Sequence, residues 1–233
     1  MKKIAILQSN YIPWKGYFDL INSVDEFVIY DDMQYTRRDW RNRNKIKTPK
    51  GLKWLSIPVE VKGKYFQKIN ETLVSDKSWS VAHWQTIKQL YSKTPYYKDY
   101  KDLFEDFYMN NQEEHLSLIN ARLIELVNSI LGIQTKITWS SDYELIEGQT
   151  EKLLGICQQG GADVYLSGPA AKEYFDEALA KKMGIQVEWM DYSGYPEYQQ
   201  LYPPFEHGVT ILDLIFNEGP GATSFMKSFQ SCK

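Results

Sequence analysis

The chain has 233 residues, 43% hydrophobic and 24% charged, with 27 Lys and Arg against 30 Asp and Glu. That length supports one substantial core with room for an insertion, and a formal net charge of -3 argues against general nucleic-acid binding, which favours a strongly basic balance. No run approaches the roughly 20 apolar residues of a membrane helix, and the apolar run after Met1-Lys2-Lys3 is too short for a signal-peptide core, so a cytoplasmic protein is expected.

Lys3 to Gln8 reads as a short buried strand that stops at Ser9-Asn10, and Gly16 to Val24 carries apolar groups at helical spacing. Glu26 to Asp31 is a second strand, which completes a parallel βαβ unit. Lys53 to Val59 is a further strand. From Ser75 to Gly132 the pattern becomes helical, with helices expected over 78–92, 97–108 and 112–131. Alternation then returns: strands at 136–139, 163–166 and 186–189, and helices at 151–159 and 170–182. The expected fold is therefore α/β, a mostly parallel Rossmann/HUP-like sheet flanked by helices. Its parts are residues 1–74 with a basic aromatic loop, a helical insertion over 75–132, and residues 133–233, which rejoin the sheet.

Ligands of open parallel sheets bind beyond the carboxyl ends of the strands. Those ends place Gln8, Tyr11, Trp14 and Lys15 after the first strand, Asp31 and Asp32 after the second, Ser140-Ser141-Asp142 after the 136–139 strand, Ser167-Gly168 after the 163–166 strand, and Asp191-Tyr192 after the 186–189 strand. Asp31 and Asp32 are the candidate catalytic pair, able to orient or deprotonate an amine or hydroxyl; a strand-end turn with capping carboxylates explains them equally. From Arg37 to Lys53 every charged residue except Asp39 is positive. Arg37, Arg38, Arg41, Arg43 and Lys45, interleaved with Tyr35, Trp40, Asn42 and Asn44, suit a phosphate or carboxylate beside a sugar or base, although strand alternation would divide them between two faces. Gly16 allows close approach at the turn after Trp14. Gln199 stands out in a proline-aromatic segment that either covers the core or forms a lid. No nucleophilic triad surrounds Ser167 or Cys157, Cys232 lies beside the end, and His83, His115 and His207 are too scattered for a metal site, so none is expected.

Four stretches together resemble the WbqC-like protein family over nearly the full chain: Ile6 to Phe18, Asp31 to Tyr35 with Trp40 to Asn44, Tyr165 to Gly168, and Ile211 to Leu214. The resemblance implies a place in the biosynthesis of O-antigen or other surface polysaccharides. His207 departs from the Ser-rich segment the family pattern suggests, so no role is carried to it. Pro13 to Tyr17 also lies where nucleotidylyltransferases carry HxGH, with Trp14 and Tyr17 replacing both histidines. Residues and resemblance together point to an enzyme that transfers an acyl or aminoacyl group onto the amine of a nucleotide-linked amino sugar, its partner, with the donor cofactor open and ATP with Mg2+ among the options. The alternatives are a sugar nucleotidyltransferase-like enzyme and a non-catalytic binding module for RNA or a biosynthetic complex.

Overall fold

The computed structural model describes residues 1–230; Cys232 lies outside them. Five parallel strands form one sheet: β1 (Lys3–Leu7), β2 (Glu26–Ile29), β5 (Lys136–Trp139), β6 (Val164–Ser167) and β7 (Gln186–Trp189), in the order β5-β2-β1-β6-β7. The central strands are apolar on both faces because both faces are covered. Ala5, Phe27 and Ile29 point to one core, which α1 (Lys15–Asn22) and α7 (Ile211–Glu218) help to fill. Ile4, Ile6 and Val28 alternate to the other, under α5 (Gln149–Gln159) and α6 (Glu177–Lys182). The result is a three-layered, Rossmann-like α/β fold.

Between Thr48 and Lys136 the chain contributes α2 (Trp79–Tyr91), α3 (Tyr97–Asn110) and α4 (Leu116–Leu131). These helices have no separate core: Trp84, Tyr91, Phe104, Tyr108 and Leu123 belong to the same cluster as Phe18 and Phe27. The basic segment forms β3 (Arg43–Thr48), which pairs antiparallel with β4 (Gly51–Ser56) as a separate hairpin. The strand expected at 53–59 therefore begins earlier and stays out of the main sheet.

Two local readings differ from the sequence expectation. α4 begins at Leu116, not at residue 112, because the preceding segment is extended: Val74 N–H donates to Glu114 O (2.9 Å), and Leu73 bridges His115. The helix expected over 170–182 breaks into a 3₁₀ turn, Pro169–Glu173, and α6, whose start is fixed by Asp176 accepting from Leu179 N–H at 2.9 Å.

The order in which strands are added changes side at β1: β2 and β5 lie on one side of it, β6 and β7 on the other. Such a switch point opens a crevice at the carboxyl ends of the strands. Among the described residues, no helix is long and apolar enough to cross a membrane.

Candidate functional site

A cavity of about 560 Å³ opens at that edge. The loop after β1 supplies Asn10, Pro13 and Trp14, the segment after β7 supplies Tyr192 to Tyr195, the hairpin supplies Trp40 and Asn44, and His207 and Gly208 close the remaining side. Its volume is that of a small-molecule cleft, and its walls are aromatic with a few amide and hydroxyl groups, a lining that suits the faces and edges of a sugar ring.

The loop after β1 is held under backbone strain. Ile12, β-branched and buried, has φ 38°, a region such residues rarely enter. Asn44, also buried, pins this turn: its Nδ2 donates to Tyr11 O (3.1 Å) and Ile12 O (2.7 Å). Tyr11 N–H donates to Trp40 O at 3.0 Å, and Ile211 N–H to Pro13 O at 2.8 Å. The β1 loop, the hairpin and the start of α7 are thus tied into one frame around the cavity.

Trp14 owes its position to Gly16. A Cβ at residue 16 would fall 2.3 Å from the Trp14 ring, so only glycine lets the indole fold back over the first turn of α1. There it meets Tyr192 and Tyr195 edge-on, with ring centroids at 5.2 and 5.7 Å. The close approach expected at Gly16 is therefore made by the protein's own tryptophan.

Lys15 lies just behind this wall. It is buried, its Nζ donates to Pro196 O (2.9 Å), and it sits 5.1 and 5.3 Å from the ring centroids of Tyr195 and Tyr198. Burial lowers its pKa to about 8, against the opposing pull of Asp19 and Glu197. Burial also lowers the pKa of His207, and the Lys15 charge lowers it further, so the imidazole is neutral near pH 7. Its Nδ1 is buried and has no hydrogen-bond partner among the described residues.

Both acids assigned to catalysis lie away from this cavity. Asp31 is 1% exposed, and its carboxylate accepts from Ser9 N–H (2.8 Å), Ser9 Oγ–H (2.6 Å) and the Ser117 hydroxyl. Burial raises its pKa against those hydrogen bonds. Every oxygen is engaged, so Asp31 serves to join the β1 loop to α4. Asp32 accepts from Ser140 Oγ–H (2.6 Å), Asn70 Nδ2 (3.3 Å) and Lys68 Nζ (3.4 Å), and does not line the cavity.

The cations assigned to binding divide. The Arg41 guanidinium donates to Gln8 Oε1 (2.6 Å) and to Asn10 Oδ1, and it pairs with Asp39 at 3.5 Å, so Arg41 and Gln8 brace the cavity wall from behind. Arg43 and Lys45 lie on the other face of the hairpin, against Trp54. Arg37 donates to Val61 O at 3.1 Å, and Arg38 is exposed with φ 60°. Asn42 donates to Ile57 O (2.8 Å) and closes the hairpin.

Of the remaining residues, Tyr11 is a core side chain whose hydroxyl meets His83 Nδ1 and Tyr108 Oη, both at 2.8 Å. Tyr35 is buried, with its N–H on Gln67 O. Ser167 Oγ accepts from the Tyr165 hydroxyl (3.1 Å), and Gly168 faces the Tyr192 hydroxyl at the cavity's flank. Gln199 is exposed, while its neighbour Gln200 is buried and bonded to Glu206 and Tyr198. Cys157 is buried, and burial pushes its thiol up to about 12, too high for a nucleophile. Sequence reasoning assigned no site role to Asn10, Tyr195 or His207; Asn44 stood out among the basic-loop residues, and the Asp191-Tyr192 strand end was the one signal that pointed to the wall after β7.

The sequence profile of the WbqC-like protein family matches residues 8–225. The chain belongs to this family. It is 51% identical over 227 residues to the uncharacterized protein Rv1507c of Mycobacterium tuberculosis, an alignment that covers 97% of this chain and 98% of that one. No solved structure matches. The family match spans every cavity-lining residue of this WbqC-like chain, from Asn10 to Gly208.

Proposed function

We propose that this WbqC-like protein is a transferase of surface-polysaccharide (O-antigen) biosynthesis that places an acyl or aminoacyl group on the amine of a nucleotide-linked amino sugar. The observation that carries the reading is the cavity itself: four aromatic walls at the strand switch point, with a neutral His207 on its rim. An amino sugar at neutral pH arrives as an ammonium, which is no nucleophile. His207 removes that proton, the freed amine attacks the carbonyl carbon of the donor, a C–N bond forms, and the donor's C–S or C–O bond breaks as its thiolate or alkoxide leaves and is protonated. Trp14, Tyr192 and Tyr195 orient the sugar ring, and the Asn10 side-chain amide contributes its N–H groups to the ring's hydroxyls, while Asn44 holds the β1 loop in place. Asp31 and Asp32, occupied elsewhere, do no proton transfer in this scheme.

The test is incubation of the purified protein with nucleotide-linked amino sugars and a panel of acyl-thioester and aminoacyl donors, read as the mass of the product. A new amide is expected, and His207→Gln is expected to lower kcat by about 10²-fold or more while leaving substrate binding near its original value. Full turnover by His207→Gln would remove the base from the scheme. Pyrophosphate release from a nucleoside triphosphate would favour the nucleotidyl-transfer alternative instead.

A further inference from the structure

The outer face of the β3–β4 hairpin carries a feature that lies mostly outside the cavity and shares only Trp40 with it. Lys45 lies opposite Trp54 in the hairpin register, and Arg43 lies opposite Ser56. Trp40 and Trp54 are 42% and 39% exposed, and their rings meet at 5.3 Å. The Arg43 guanidinium stacks over Trp54 at 4.1 Å, and Lys45 Nζ stands 5.2 Å from the Trp54 ring and 5.8 Å from Trp40. The Arg43 guanidinium donates to Arg38 O, which brings a third cationic residue alongside. Among the described residues, Arg38, Arg43 and Lys45 form no ion pair with a carboxylate.

Three cationic residues without counter-charges, set against two half-exposed indoles in a slightly acidic protein, form a built binding surface. A hairpin stabilised only for its own sake would pair those charges or bury those rings. Trp40 also lines the cavity, so this face continues directly from the cavity mouth. The frame is firm: Thr210 N–H donates to Lys45 O at 3.0 Å, and Trp40 O accepts from the β1 loop.

We infer that this face is the nucleoside-diphosphate subsite, where the base lies on the exposed indoles of Trp40 and Trp54 and the two phosphates lie along Arg43, Lys45 and Arg38. The inference rests on the transfer reading for the sugar in the cavity and assigns the rest of that substrate. Arg forks suit phosphate oxygens, and planar indoles accept any base face, so charge and shape agree on an anionic, aromatic, small ligand.

The test is calorimetric titration of the full chain with UDP, GDP, CDP and dTDP, each without sugar, and with a short single-stranded RNA at two salt concentrations. At least one nucleoside diphosphate is expected to bind. Trp54→Ala is expected to weaken it roughly 5- to 150-fold, the range of one base–aromatic stack, and Trp54→Phe to restore most of the loss. The double variant Arg43→Ala, Lys45→Ala is expected to weaken binding and flatten its salt dependence, and Leu103→Ala, at an exposed position on α3, to leave it unchanged. Melting curves check that each variant is folded. Failure of all four nucleotides to bind, binding untouched by the Trp54 and Arg43/Lys45 changes, or tighter RNA binding through the same residues would overturn the subsite. The two readings separate cleanly. Nucleotide binding that depends on Trp54, without transfer to any amino sugar, keeps the subsite and removes the reaction; transfer with unchanged KM in Trp54→Ala does the reverse.

Discussion

Replacing Asp31 separates a structural carboxylate from a catalytic one. In Asp31→Ala three donors, Ser9 N–H, Ser9 Oγ–H and Ser117 Oγ–H, lose their acceptor in a site that is 1% exposed. At about 1.5 kcal/mol each the loss is about 4.5 kcal/mol, and removal of a charge that burial disfavours returns a small part, leaving about 4 kcal/mol. Asp31→Asn is milder. Its Oδ1 keeps the 2.8 Å bond from Ser9 N–H, and its amide donates to the two serine oxygens, whose hydroxyl hydrogens then lack acceptors. The raised pKa of Asp31 means that the fold already favours the neutral group, so Asn costs only about 1 to 2 kcal/mol. For a chain of this size those values correspond to Tm losses of roughly 8–16 °C for Ala and roughly 2–8 °C for Asn. Thermal melts of both variants, followed by turnover per folded molecule, make the comparison. An Asp31→Ala protein that melts like the parent yet has no turnover would refute the structural assignment and restore Asp31 as an open base.

Gly16→Ala drives the Trp14 indole off the cavity wall, because the added methyl would sit 2.3 Å from the ring; amino-sugar affinity is expected to fall by about tenfold with a Tm loss of only a few degrees, and unchanged affinity would show that Trp14 is no part of the wall. Lys15→Met tests the buried cation through pH. Lys15 has a folded pKa of about 8 against an ordinary 10.5, so the unfolded chain holds the extra proton between these values and stability rises as pH climbs through that window. Below pH 8 the cost of burying the charge is fully present. Denaturant titrations at pH 8 and pH 10 are expected to show the parent gaining on the order of 1 kcal/mol relative to Lys15→Met, after allowance for solvent screening, and parallel curves would disprove the shift.

The sheet was readable because its signal is local. Lys136–Trp139 and Gln186–Trp189, the two edge strands, fall where apolar alternation places them, since four residues that alternate between core and surface need no information from elsewhere in the chain. The site was less readable because its geometry is set by partners more than 150 residues apart. Cations that look equivalent in sequence diverge once β3 pairs with β4: Arg41, before the strand, turns back to Gln8 and Asn10, while Arg43 and Lys45 alternate outward to Trp54. A one-residue step likewise separates exposed Gln199 from buried Gln200. His207 shows the same cause most clearly. Nothing beside it in the sequence marks it, yet Thr210 N–H on Lys45 O and Ile211 N–H on Pro13 O carry its loop to the cavity rim, where burial, and after it the Lys15 charge, lowers its pKa against the pull of Glu197 and Glu206. A carboxylate next to arginines attracts attention on charge alone, but Asp31 is 1% exposed and already accepts three hydrogen bonds, so a substrate has no path to it. At this cavity His207 is a titratable side chain whose buried Nδ1 has no hydrogen-bond partner among the described residues, and the proposed reaction assigns the proton to that imidazole.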